Sequence, residues 1–258
     1  MKKKMIACLI LPTFFIAVLT FTGCFGEEEG LVAEMETLDP DIFFSSEKID
    51  GEDHVIGVGI RLVSPSEKRK NRLKNFLPQL AKFKYLRAFG INSTFITDAE
   101  ISTLPPLPNV IDFYIRDSPN ISDSALANFA SMKKVEEIDI VNTNLKGTGF
   151  EYLKGFAKLK RLNISGSPID DLSVPHMVAN FPNLEYFAFE DTKITPEGWM
   201  QLASLKNLEI VSLPKLSSFL DYEKAPRGPE KDRLWDVEKK ARIALRERFE
   251  SAQKAANK

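Results

Sequence analysis

Val110-Ile111-Asp112-Phe113-Tyr114-Ile115 carries apolar side chains at its first, fourth and sixth positions. Five other stretches repeat that signature: Leu86-x-x-Phe89-x-Ile91, Val135-x-x-Ile138-x-Ile140, Leu159-x-x-Leu162-x-Ile164, Leu184-x-x-Phe187-x-Phe189 and Leu208-x-x-Val211-x-Leu213. In chain order their first residues lie 24, 25, 24, 25 and 24 positions apart. A fixed period of this size marks a solenoid, in which each repeat packs on its neighbours. One repeat buries too little to offset its ordering entropy of about 1–2 kcal/mol per residue. A stack of six can.

The segments between the strands agree with one another. Three residues past each last strand apolar stands a small hydroxyl: Thr94, Ser118, Thr143, Ser167 and Thr192. Thr97-Asp98, Ser122-Asp123 and Thr195-Pro196 read as helix starts, with Lys146-Gly147 and Asp170-Asp171 as weaker versions. Apolar residues at steps of three and four follow, such as Leu126/Phe129/Met132 and Trp199/Leu202/Leu205. Pro105 and Pro106 weaken the first of these helices, and Pro175 interrupts the fourth.

This pattern resembles the leucine-rich repeat family over residues 84–213, in the Thr-x-Ile-Thr-Asp variant of bacterial repeat proteins. Thr or Ser stands where the family usually has Asn or Cys, and the hydroxyl can still bond loop backbone. The resemblance implies an α/β solenoid, with a parallel β-sheet on the concave face and short helices on the convex face. Val55-x-x-Val58-x-Ile60 matches the template once more, so residues 42–83 are expected to form an N-terminal cap.

The N-terminus reads as an export signal. Lys2, Lys3 and Lys4 precede the apolar run Ile6–Phe21, which ends at Thr22-Gly23-Cys24. The run is short for a membrane span of roughly 20 apolar residues. Thr22-Gly23-Cys24 resembles the bacterial lipobox, with Phe21 where Leu is usual. That resemblance implies cleavage after residue 23 and acyl chains on Cys24, holding the protein to the cell membrane or outer membrane. Cys8, the other cysteine, would leave with the signal, so no disulfide is expected. The Glu-rich residues 24–41 read as a flexible tether.

Composition, at 43% apolar and 28% charged, excludes a disordered chain. The formal charge of −1 offers no nucleic-acid footprint. Removing residues 1–23 takes three lysines and no acid, leaving 32 basic against 36 acidic residues, a net −4. A body of that charge is not expected to be drawn to anionic lipid by itself.

Residues 84–220 are assigned to the repeats and 221–229, with Pro226, Gly228 and Pro229, to a linker. Residues 230–258 read as a charged helix with the stripe Leu234, Val237, Ala241, Leu245, Phe249 and Ala252. Three roles stay open for it: a cap on the last repeat, a free helix for a partner or self-association, and a membrane-surface helix.

No catalytic constellation stands out. His54 and His176 lack companions at metal spacing, and no motif for a nucleophile or phosphate loop occurs. Asp170-Asp171 fits a helix start. No cofactor or metal is implied, and the chain is read as non-enzymatic. The informative residues are those that alternation turns outward from the sheet. They fall in columns that include Asp112, Glu137, Arg161 and Tyr186; then Tyr114, Asp139 and Asn163; then Arg116 and Glu190. Tyr and Arg dominate binding hot spots. This face is therefore the expected protein-binding surface, with Arg161–Glu137 pairing as the plain alternative. The expected role is protein–protein interaction at the cell envelope. A structural assembly component or the recognition subunit of an enzyme complex are the alternatives.

Overall fold

The computed structural model describes residues 27–38, 42–62, 66–213, 216 and 223–256. The signal segment, Cys24 and Pro214 lie outside the described residues. No helix among the described residues is long and apolar enough to cross a membrane.

Eight strands form one mixed α/β sheet in strict chain order: β1 (Ile42–Ile49), β2 (Glu52–Leu62), β3 (Ala88–Ser93), β4 (Asp112–Ser118), β5 (Glu137–Thr143), β6 (Arg161–Asn163), β7 (Tyr186–Ala188) and β8 (Ile210–Val211). β1 and β2 are an antiparallel hairpin, turned by Asp50 at φ 56° and Gly51 at φ 91°. Every later pairing is parallel. Parallel neighbours need a crossover of about a dozen residues or more. The repeat supplies it, because each period holds one strand and one return segment.

The register follows the apolar signature. Phe89, Phe113, Ile138, Leu162 and Phe187 pair in succession, and all are buried. Ile91, Ile115, Ile140 and Ile164 form the adjoining buried row. Burial contributes on the order of 1.5–3 kcal/mol per side chain. Aromatic rings link a strand to its return, with Phe113 4.4 Å from Phe129, and one return to the next, with Phe150 6.1 Å from Phe181.

The returns are short. After α1 (Glu27–Leu38), which precedes the sheet, they are α2 (Glu67–Phe76), α3 (Asp98–Ile101), α4 (Val174–Asn180) and α5 (Pro196–Gln201), with 3₁₀ turns over 77–82, 123–129, 148–153, 171–173 and 202–204. Thr97 closes a full capping box on α3 with Glu100. Pro175 does not interrupt its helix. It sits in the first turn of α4, where its missing N–H costs nothing.

The hydroxyl row is internal, and it corrects one expectation. Ser118, Thr143 and Ser167 are buried, and the Thr143 and Ser167 hydroxyls share a 2.8 Å hydrogen bond. In the first repeat the buried member is Ser93, not Thr94, which is exposed. The later repeats insert one left-handed residue before the hydroxyl: Asp117, Asn142, Gly166 and Asp191, at φ 51°, 54°, 71° and 57°. Asp, Asn and Gly tolerate that conformation.

The end segments differ most from the sequence reading. Residues expected to be part of a tether form α1 (Glu27–Leu38), and Leu31, Val32 and Met35 are buried in the common core. Glu28 is also buried, where it accepts the Val55 amide proton at 2.8 Å. A Glu-rich composition concealed an apolar stripe at steps of one, three and four. At the other end α6 (Pro229–Ala256) begins one residue before the expected position. Its last turns lie on the final repeat. Phe249 is buried with its ring 4.2 Å from Trp199, and the Gln253 amide donates to the Leu208 carbonyl at 2.6 Å. Leu245 and Ala252 pack on the same core, whereas Val237 is exposed. Among the described residues, the contacts of the predicted stripe with the repeats therefore lie in its C-terminal half, while Glu238 is also buried further up the helix.

Candidate functional site

The strand faces turned away from the core carry the candidate residues, and strand register fixes their neighbours. One row runs Ala88, Asp112, Glu137, Arg161, Tyr186. The next runs Gly90, Tyr114, Asp139, Asn163, Ala188. Adjacent members are one strand spacing apart, about 4.8 Å.

Two arginine-centred clusters result. Arg116 pairs with the Asp139 carboxylate one strand further on, and its guanidinium lies 5.3 Å from the Tyr114 ring centre. Arg161 lies 3.4 Å from the Glu137 carboxylate on one side and 4.4 Å from the Tyr186 ring on the other. In each, an arginine bridges an acid and an aromatic, which combines ion pairing with a cation–π contact. The side chains are thereby held in place before any ligand arrives.

Asn163 and Glu190 join through a third residue. The Asn163 side-chain oxygen accepts the Ser165 amide proton at 3.1 Å, and the Ser165 hydroxyl donates to Glu190 at 2.7 Å. Asp112 differs from its neighbours. Its carboxylate has no hydrogen bond or ion pair among the described residues. Partial burial, with the Glu136 charge adding to it, pushes its pKa upward. Glu137 is raised mainly by partial burial, against the opposing pull of Arg161. Burial also raises the Tyr114 phenol. These candidate residues thus comprise four acids (Asp112, Glu137, Asp139, Glu190) against two arginines (Arg116, Arg161).

Sequence reasoning missed three features. The Tyr114 ring lies directly over Gly90, where an added Cβ would stand 1.9 Å from it, and its hydroxyl reaches to 3.0 Å from a Cβ at Gly59. Glycines in the first outward positions were the available signal. Second, Asp117 accepts from Asn92 at 3.0 Å and Asn142 at 2.7 Å, tying three repeats together. Third, the helix-start aspartates cap the following repeat. Asp98 accepts the Ser122 amide at 2.8 Å, Asp123 accepts Gly147 at 2.9 Å, and Asp171 accepts Thr195 at 2.8 Å. Recurrence at 24 residues was visible; the inter-repeat bond was not.

A shallow groove of about 410 Å³ lies at the strand-entry rim, lined by Glu136, Ala157, Lys158, Lys160, Asn183, Glu185 and Asn207. Its polar groups largely satisfy one another. Lys160 binds Glu136 at 2.8 Å, which lowers the Glu136 pKa and raises that of Lys160. The histidines stand apart from the outward face. His54 packs against Tyr85 at 4.4 Å between ring centres, and His176 lies exposed on α4. No cluster of three potential metal ligands occurs among the described residues.

No family model and no curated protein matches the chain. Among solved structures, it is similar to the crystal structure of an internalin, InlF, from Listeria monocytogenes. The alignment has a TM-score of 0.38 and 14% identity. It covers 54% of this chain and 44% of that one, so the chain spans less than half of that structure's length. Likeness at this level carries no argument about fold or role.

Proposed function

We propose that the protein is an exported bacterial lipoprotein of leucine-rich repeat type, acylated on Cys24, whose outward sheet face binds another protein at the cell envelope. The observation that carries the binding reading is the pair of preformed Arg–acid–aromatic clusters on one parallel ladder. Rigid Tyr and Arg side chains lose little freedom on association, so more of the contact energy appears as affinity. Solenoids offer their strand face in this way. The chain is read as non-enzymatic. Recognition on behalf of an enzyme partner is compatible with the same face.

The decisive comparison is capture from envelope extracts by the wild-type protein and by Arg161→Ala/Tyr186→Ala. Tyr114 is left intact because it fills the space over two glycines. The proposal expects one or more discrete partners to be lost with the variant. Equal recovery by both proteins contradicts it.

A second reading, assembly through α6, is favoured by the exposed Val237 and Ile243 on that helix. Light scattering separates it from the first. Loss of an oligomer in Val237→Glu/Ile243→Glu supports assembly, and an unchanged monomer opposes it.

A further inference from the structure

Charge is distributed very unevenly along this chain. Between Arg61 and Lys84 stand eight basic residues and one acid, Glu67: a net +7 in a chain whose total is −1. Six of the eight fall within α2 and the turn beyond it: Lys68, Arg69, Lys70, Arg72, Lys74 and Lys82. The remainder of the protein is therefore net −8. An overall count conceals this segregation.

In the described part of this segment the apolar side chains turn inward and three lysines turn to the surface. Leu73, Phe76, Leu77 and Leu80 are buried, with Phe76 6.4 Å from Phe44 of β1. Lys74, Lys82 and Lys84 are exposed. The burial of Leu73 and Phe76 holds α2 against the hairpin end of the sheet. α1 packs at that same end, through Glu28 on Val55 of β2. Cys24 precedes Glu27, the first residue of α1, by only three positions. Three residues span at most about 10 Å. With α1 folded onto the body, no long tether separates an acyl anchor from this end of the protein.

We infer that the exposed lysines of α2 and the segment after it, Lys74, Lys82 and Lys84, form a docking surface for the anionic phospholipid headgroups of the membrane that holds the Cys24 anchor. The inference rests on the lipoprotein reading for the position of the bilayer. Its support is complementary charge and the short reach from Cys24. Juxtamembrane basic clusters are attracted to anionic leaflets, and a basic patch supplies the second signal that a marginal acyl anchor needs.

The test uses the full protein as isolated from cells, on vesicles of phosphatidylcholine alone and of equal parts phosphatidylcholine and phosphatidylglycerol. Flotation with phosphatidylcholine alone reads the acyl anchor, because that lipid has no net charge. Amide hydrogen exchange over residues 67–84 reads the docking surface. The inference expects added protection of 67–84 on the anionic vesicles only, lost at high salt. Lys74→Glu/Lys82→Glu/Lys84→Glu should abolish that protection and weaken any anchor-independent partitioning by about a hundredfold. The matching triple Arg variant should retain both, which separates charge from folding defects. Protection that is equal on both vesicles, or that survives the Glu variant, overturns the inference. Equally tight binding of soluble heparin overturns the commitment to a bilayer. Failure to float on phosphatidylcholine, with protection on anionic vesicles intact, rejects the anchor and not the surface.

Discussion

The Tyr114 ring lies over Gly90 on the neighbouring strand, closer than any side chain at that position allows. One glycine thus seats the aromatic that carries Arg116. Gly90→Ala is expected to force the ring outward at a cost of about 1–3 kcal/mol. The Arg116–Asp139 pair, which leans on that ring, should become mobile. Thermal unfolding checks the first effect. A second variant, Gly90→Ala/Tyr114→Ala, checks the cause. Its loss should be smaller than the sum of the single losses, since the clash is gone.

The aspartate steps predict local stability. Asp171 receives both the amide and the hydroxyl of Thr195, the latter at 2.6 Å, and so joins two repeats. Asp171→Ala leaves these donors without that acceptor, for a loss of about 1–3 kcal/mol. Hydrogen exchange should rise first at Thr195 and through α5. Uniform exchange across the sheet would contradict the assignment.

The C-terminal cap predicts a fluorescence change. Trp199 is fully buried, with Phe249 of α6 beside it. Phe249→Ala should cost about 3–5 kcal/mol and admit water. Trp199 emission should shift to the red, measured against a Trp235→Phe background. An unshifted spectrum with unchanged stability would mean that α6 does not cover the last repeat.

Acidity on the outward face has a defined sign. Partial burial raises the folded pKa of Asp112 above its ordinary 3.8. The folded state therefore holds the proton more tightly than the unfolded state. That stabilising contribution is complete below the ordinary value and is lost as pH rises through the folded one. Asp112→Asn should thus gain stability relative to wild type near pH 7 and show no gain well below pH 3.8. Melting temperatures at the two pH values check this, and a gain of the opposite pH dependence contradicts it.

Much of the fold was legible because the period and the two-residue alternation act together. The period aligned Phe89 with Phe113 and Ile138, and alternation then placed Asp112 beside Glu137 and Tyr114 beside Asp139. The Arg161–Glu137 pair was readable on the same ground. Other contacts depend on side-chain direction, which spacing leaves open. Arg116 turns to Asp139 across a diagonal, and Tyr114 leans back over Gly90. The Asp98–Ser122 step looked like two separate helix starts. α1 was unreadable because its three buried apolar residues are diluted by glutamates, one of which, Glu28, is buried on a backbone amide. The basic character of α2 was lost in a net charge summed over the whole chain.

The claim that the strand face is the binding surface has a direct test in cells. Asp112 and Glu137 are each replaced by a photo-crosslinking phenylalanine derivative, with Glu151, exposed on the 3₁₀ return 148–153, as the control. The account predicts a discrete crosslinked species from the two face positions and none from Glu151. Crosslinks from Glu151 alone, or none from any position under conditions where the protein is folded and exported, would contradict it.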